Sequence, residues 1–234
     1  MDDSRGARLT AVAALAEPTR RRLYDHVVRS PQPLSRDDVA GATGVPRPTT
    51  AFHLDRLVAD GLLDVHYERR SGRTGPGAGR PAKLYRRTAR DISVSLPERR
   101  YDLAGRVMAE AITIAGRDRV PVDDALRTAA DATGRRLGQG AEAGAGDPID
   151  AVSEVLARSG YEPRTVAGEV VLANCPFHRL AVDYTELMCG MNRDLIGGLL
   201  DVVCPGTLSA RLNPGPDRCC VTVGEAHTPG PSSG

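Results

Sequence analysis

The stretch SRDDVAGATGVPRPTTAFHLDRLVADGL, residues 35–62, decides how this chain is read. Ser35 with Asp38 three positions on has the form of a capping box opening a short helix to about residue 42. Gly44 breaks that helix, Pro46 and Pro48 punctuate the next start, and residues 49–60 read as a second helix stopped by Gly61. Leu54, Leu57 and Val58 make its inward stripe, which leaves Arg47, Thr49, Thr50, His53 and Arg56 at or near its leading face. Two helices joined by a tight glycine turn, the second fronted by Arg and Thr, is the order of a helix-turn-helix. Its second helix fits the major groove of double-stranded DNA.

Working outward, residues 7–30 are helical, with Leu9, Val12, Leu15, Leu23, Val27 and Val28 on the apolar side. Pro18 starts a new helix after Glu17, and Pro31-Gln32-Pro33 ends it. Downstream, β-like residues 62–69 and 82–88 flank a Gly-rich stretch at 71–79, a long hairpin with a basic tip. Residues 64–90 carry eight Lys/Arg against two acids. Arg70, Arg73 and Arg80, mounted among glycines, can follow a phosphate backbone or enter the minor groove. The predicted unit is a winged helix-turn-helix over residues 1–95.

Here the residues resemble a known family. Ala14-Leu15-Ala16-Glu17-Pro18-Thr19-Arg20 with Leu23 is similar to the opening-helix signature of ArsR-type repressors. Phe52-His53-Leu54, Leu57 and Gly61-Leu62 resemble that family's recognition-helix signature. The resemblance spans residues 8–90 and implies a DNA-binding transcription regulator acting as a homodimer on a double-stranded operator. Ala51 departs from it, standing where the family carries Ser and removing a hydroxyl–phosphate contact.

Charge agrees with that division. Residues 1–100 hold 19 Lys/Arg against 12 Asp/Glu, and residues 101–234 hold 12 against 18, although the whole chain is only +1. A basic half joined to an acidic half suits a polyanion binder coupled to something else. The acidic start and short apolar run of the N-terminus lack the form of a secretory signal, and no segment reaches the roughly 20 apolar residues that span a bilayer. A cytoplasmic protein without membrane partners is expected.

After the wing, residues 98–116 and 121–137 read as helices of a connector and dimerisation region, residues 96–147, closing in the Gly-rich run 138–147. Its stripe Leu103, Val107 and Ile114 is a candidate partner surface, with packing inside the chain as the alternative. Residues 148–226 then alternate: a helix at 149–158, strands at 162–166 and 170–173, the break Asn174-Cys175-Pro176-Phe177-His178, a long helix at 183–203, and a hairpin of strands 208–212 and 219–223. Residues 227–234 are expected to form a disordered tail. The fold class is α+β: a winged helix-turn-helix, a helical connector and a C-terminal α+β sensor domain.

All five cysteines lie in that last domain, and three gaps of 13, 14 and 14 residues separate Cys175, Cys189, Cys204 and Cys219. An odd, late cluster in a reducing compartment points to metal binding or thiol chemistry before disulfides. The gaps are too wide for a zinc knuckle. A continuous helix would also hold Cys189 and Cys204 about 22 Å apart, so a second set, Cys175, His178, Cys189 and one of Cys219 or Cys220, stands beside the four-cysteine set. Alternation along a strand would let it offer only one of Cys219 and Cys220. Residues 170–223 resemble the C-terminal domain of SufR-like repressors, and the resemblance implies an iron–sulfur cluster sensed by widely spaced cysteines. Soft thiolates also suit zinc, the alternative cofactor. Buried cysteines serving only as small core residues are the bland reading. A thiol enzyme with Cys175 as nucleophile and His178 as base is the rival from another class, but no orienting third group is evident, and no catalytic role is expected.

Overall fold

The computed structural model describes residues 5–68, 81–139 and 147–226. The chain divides into two units, one ending at Val94 and one beginning at Ser95.

The first unit contains α1 (Arg5–Ala14), α2 (Pro18–Arg29), β1 (Leu34–Ser35), α3 (Arg36–Thr43), α4 (Arg47–Ala59), β2 (Leu63–Glu68) and β3 (Ala82–Arg87). Local chemistry sets these boundaries. The Glu17 carboxylate accepts the backbone N–H groups of Thr19 at 2.9 Å and Arg20 at 2.5 Å, with Pro18 at the first turn of α2. The capping box is formed in full at α3: Asp38 N–H donates to Ser35 Oγ at 3.2 Å, and Ser35 N–H donates to Asp38 Oδ2 at 2.9 Å. Gly44 ends α3 at φ +68°, a left-handed conformation that suits glycine. α4 begins at Arg47, two residues before the expected start, with Pro48 accommodated in its first turn, where no N–H partner is needed.

β3 lies between β1 and β2 in an antiparallel sheet, and the two-residue β1 was not anticipated. Leu23, Val27, Val39, Leu54, Leu57, Leu63 and Tyr85 close one core beneath α4. Each such leucine contributes roughly 1.5–3 kcal/mol by leaving water. The observed elements are those of a winged helix-turn-helix. Arg70, Arg73 and Arg80, at the expected wing tip, lie outside the described residues, as does the expected tail.

The second unit contains α5 (Tyr101–Asp118), α6 (Val122–Gly138), α7 (Pro148–Arg158), β4 (Pro163–Val166), β5 (Glu169–Leu172), α8 (His178–Asp183), α9 (Thr185–Val203), β6 (Leu208–Leu212) and β7 (Val221–Glu225). Its strands run antiparallel in the order β4-β5-β7-β6. α5 and α6 are not a separate connector: Leu103, Val107, Leu126 and Ala129 share one core with Leu195, Leu199, Val221 and Val223. The stripe expected as a partner surface is therefore spent inside the chain, with Leu103 and Val107 buried and Ile114 packed against the same core.

α6 and α9 touch backbone to backbone. A Cβ at Gly134 would stand 1.9 Å from the Leu195 carbonyl oxygen, and one at Gly198 would stand 2.2 Å from that of Asp131. The close approach fixes the course of α9, which runs unbroken from Thr185 to Val203. A separate short α8 precedes it where the sequence suggested one helix from residue 183.

Candidate nucleic-acid face and cysteine centre

α4 presents Arg47, Thr49, Phe52, Asp55 and Arg56 outward. Arg47 bonds Asp37 on α3, and Arg56 donates to Asp60 at 2.9 Å. The first is a surface ion pair worth at most about 1 kcal/mol, which a phosphate or base can displace, whereas the Asp60 side chain in the second is 6% exposed. Phe52 is 65% exposed on the same face, an aromatic that the hydrophobic pattern had not singled out.

Two expected reading residues turn inward instead. Thr50 is fully buried, and its hydroxyl donates to the Val45 carbonyl at 3.2 Å. His53 is also buried; its Nδ1 accepts from Arg20 Nε at 3.5 Å and lies 3.6 Å from the Glu17 carboxylate. Glu17, Arg20 and His53 thus join the two sequence signatures to each other. Thr50 and His53 leave the reading face because helix periodicity aims them at α2 and at the Val45 carbonyl.

Asp55 braces α4 against the wing strand. Its Oδ1 accepts Lys83 Nζ at 2.5 Å and the Tyr85 hydroxyl at 2.8 Å. Partial burial pushes the Asp55 carboxyl upward, but the Lys83 and Tyr85 hydrogen bonds prevail and hold it below the usual carboxylate range. Burial, then the bond to Asp55, pushes the Tyr85 phenol well up. Beside this face, Arg21, Arg22, His26 and Arg29 of α2 line a cavity of about 420 Å³. Arg22 also reaches a second hollow containing Thr49, next to the start of α4.

In the second unit, four of the five cysteines fall into two linked pairs. Cys175 sits in the turn after β5, and its thiol lies near enough to that of Cys219 for each to shift the other's acidity. Cys189, early on α9, forms a disulfide with Cys220, Cα to Cα 6.3 Å. The expectation that thiol or metal chemistry would come before disulfides is corrected for this pair. Cys219 and Cys220 both serve because strand alternation has not begun: β7 starts at Val221. There the Cys219 N–H donates to the Leu172 carbonyl, and the Cys220 carbonyl accepts from Asn213 N–H.

Asn192, three residues after Cys189 on α9, donates from Nδ2 to Cys219 Sγ at 3.2 Å, and its Oδ1 accepts the Tyr161 hydroxyl. The Cys219 thiol donates to Cys175; with help from the Phe177 N–H and Arg99, this outweighs burial and holds Cys175 below the usual thiol range. The same bond, followed by burial, pushes Cys219 up. Burial, then the neighbouring Cys219 and Cys175, pushes the Tyr161 phenol well up.

Cys204 and His178 do not join this group. Cys204 caps the far end of α9, about 22 Å along the helix from Cys189, and burial raises its thiol. His178 opens α8 with an exposed side chain, while its backbone N–H donates to the Cys175 carbonyl at 3.1 Å. Cys204 thus lies a full helix away from Cys189, and the His178 side chain is exposed rather than packed with the cysteines. Asn192 was missed in the sequence, although its place one helical turn beyond Cys189 was a readable signal.

Among the described residues, no three His, Cys, Asp or Glu side chains stand ready to hold a metal ion. The donor set changes if the Cys189–Cys220 bond is reduced. Reduction would free the thiols of Cys189 and Cys220, the latter adjacent in sequence to Cys219, and soft thiolates suit an iron–sulfur cluster or zinc. By donor type, though not yet as a set of free thiols, these cysteines suit such a group.

Residues 15–66 match the family model of a helix-turn-helix domain. Comparison with curated proteins and with solved structures gives no match. The matched segment covers α2, α3, α4 and most of β2, so the N-terminal unit is that of a winged helix-turn-helix regulator. Among the described residues, no helix is long and apolar enough to cross a membrane.

Proposed function

We propose that the chain is a sequence-specific transcription regulator, a repressor, whose C-terminal cysteine centre senses an iron–sulfur cluster or its own thiol redox state. The observation that supports the sensing part is the pairing of Cys189 with Cys220 and of Cys175 with Cys219, cysteines drawn from three separate stretches of chain. Cysteines used only as small core residues have no reason to converge in this way. The thiol-enzyme alternative loses its base, since Cys175 pairs with Cys219 and His178 faces solvent.

On DNA, α4 enters the major groove. Arg47, Thr49 and Arg56 contact bases or phosphates, and Phe52 offers an apolar surface to a thymine methyl. Arg70, Arg73 and Arg80 are assigned to the phosphate backbone or minor groove. Two copies on half-sites one helical turn apart are the arrangement that suits this motif, so the chain acts as a homodimer in the cytoplasm.

In the reduced chain, Cys175, Cys189, Cys219 and Cys220 would hold the group, and a bound cluster would supply a centre whose redox state or loss can be read. Asn192 orients Cys219, Tyr161 orients Asn192, and Arg99 holds the Cys175 carbonyl.

The test is anaerobic purification and reconstitution with ferrous iron and sulfide, followed by iron, sulfide and zinc analysis. DNA affinity is then measured on duplexes selected from a random pool. Bound iron and sulfide, broad absorbance near 400 nm and a changed affinity support the reading. Stoichiometric zinc without iron leaves a structural zinc, and a metal-free chain whose affinity is also indifferent to reduction removes the sensor.

A further inference from the structure

The turn that carries Cys175 is fastened to the chain just beyond the DNA-binding unit. Asn174 is 5% exposed, and its amide is fully used. Nδ2 donates to the Glu98 carbonyl at 2.9 Å and to the Gly160 carbonyl at 2.8 Å, while Oδ1 accepts the Arg99 guanidinium. That guanidinium also donates to the Cys175 carbonyl at 3.1 Å, and the Arg100 backbone N–H donates to the Pro176 carbonyl at 3.1 Å. Residues 174, 175 and 176 therefore each hold residues 98–100, and Arg99 N–H is itself held by Ser95 Oγ at 2.7 Å. Ser95 is the first residue after the DNA-binding unit.

A buried amide at this position costs desolvation that an apolar side chain would avoid. What it gives in return is a fixed relation between two backbone segments about 76 residues apart in sequence. Arg99 grips the carbonyl of the same residue whose sulfur belongs to the cysteine centre. A new bond at that sulfur therefore acts on a turn whose backbone is held by residues 98–100.

We infer that Arg99 and Asn174 are positioning residues, a clasp that passes the chemical state of Cys175 to residues 98–100 and so along the chain toward the DNA-binding unit. The inference deepens the sensor reading and rests on it.

The experiment compares the full chain reduced with dithiothreitol and the same chain treated with diamide. In the second preparation diamide closes Cys189–Cys220 and, in excess, joins Cys175 to Cys219. For each S–S bond two thiols give two electrons and two protons to one azo bond, which becomes a hydrazine. The Cys175–Cys219 bond is verified by mass spectrometry of the digested chain. Two quantities are read: hydrogen exchange at the Arg100 amide, which lies in the clasp, and Kd for a selected duplex.

In the wild type the two preparations are expected to differ at least tenfold in Arg100 exchange and at least fivefold in Kd. In Arg99→Met both differences should fall below twofold, while the reduced protein keeps its wild-type Kd within twofold. Arg99→Lys, which keeps the charge and one donor, should recover part of the response.

An Arg99→Met chain that keeps both wild-type differences overturns the clasp and leaves the sensor reading standing. Wild-type Arg100 exchange that is the same in both preparations also overturns it, whatever Kd does. Changed exchange with unchanged Kd sinks the sensor reading, and with it the passage of the signal beyond residues 98–100.

Discussion

Arg47, Thr49, Phe52 and Arg56 all project from one helix of 13 residues, exposed and paired only with nearby carboxylates. The sulfur centre is built the opposite way. Its residues come from the turn after β5, from α9 and from the step before β7, and Asn192 and Cys219 within it are 1% exposed. The first region is chemistry laid along a helix and offered to solvent; the second exists only after distant segments have packed. The difference teaches where each is vulnerable: the helix face in its affinity for a partner, the sulfur centre in the stability of its own unit.

The sharpest way to break this contrast is Asn192→Leu. The substitution strands the buried Tyr161 hydroxyl and removes the donor to Cys219, so unfolding in urea should show a loss of about 2–5 kcal/mol. Arg47→Ala, on the exposed face, should change stability by less than about 1 kcal/mol. If the two variants unfold alike, buried polar chemistry does not distinguish the regions.

How much of this was legible in the sequence follows the same line. Ser35 with Asp38, Glu17 with Pro18, and the glycines at 44 and 61 act on their immediate neighbours, so the helices they bound could be read directly. Inward and outward on α4 were harder. Thr49 and Thr50 are the same residue type at adjacent positions, and only the approach of the Val45 carbonyl decides that Thr50 is the buried one.

In the second unit, the count and lateness of the cysteines pointed to sulfur chemistry, but their pairing depended on two things spacing could not give. One is that α9 is continuous, which sends Cys204 away. The other is that β7 starts after Cys220, which lets both adjacent cysteines take part. The role of α5 and α6 was hidden for a similar reason: an apolar stripe on a helix does not say whether its cover comes from the same chain.

Affinity for DNA gives the next largest effects. Thr49→Ala and Arg56→Ala should each weaken binding to a selected duplex by about 1–3 kcal/mol, measured by fluorescence anisotropy. Thr50→Ala should lower stability by about 1 kcal/mol through the lost bond to Val45, yet leave the Kd of the folded protein unchanged. A Thr50→Ala chain that loses affinity as Thr49→Ala does would return Thr50 to the reading face.

The smallest effect concerns the brace between α4 and β3, and it is set by pH. Tyr85→Phe should cost about 0.5–1.5 kcal/mol near neutral pH by removing the bond to Asp55. Asp55 has a lowered folded pKa, so its contribution is present above the unfolded value of about 4 and is lost as pH falls through the folded one. Tyr85 has a raised folded pKa, so its contribution is present below the unfolded value of about 10 and is lost as pH rises toward the folded one. The stability gap between wild type and Tyr85→Phe should be flat from about pH 5 to 9 and should close on both sides. A gap that persists unchanged at pH 3 would mean Asp55 is not its source.

The central claim is that four of the five cysteines form one centre and that Cys204 stands outside it. Iron and sulfide bound per chain after anaerobic reconstitution of Cys204→Ser and Cys220→Ser, side by side with wild type, tests this most directly. Cys204→Ser should load as wild type does, and Cys220→Ser should lose the cluster, because a hard oxygen replaces a soft ligand. Loss of loading in Cys204→Ser with full loading in Cys220→Ser would contradict the grouping of Cys175, Cys189, Cys219 and Cys220.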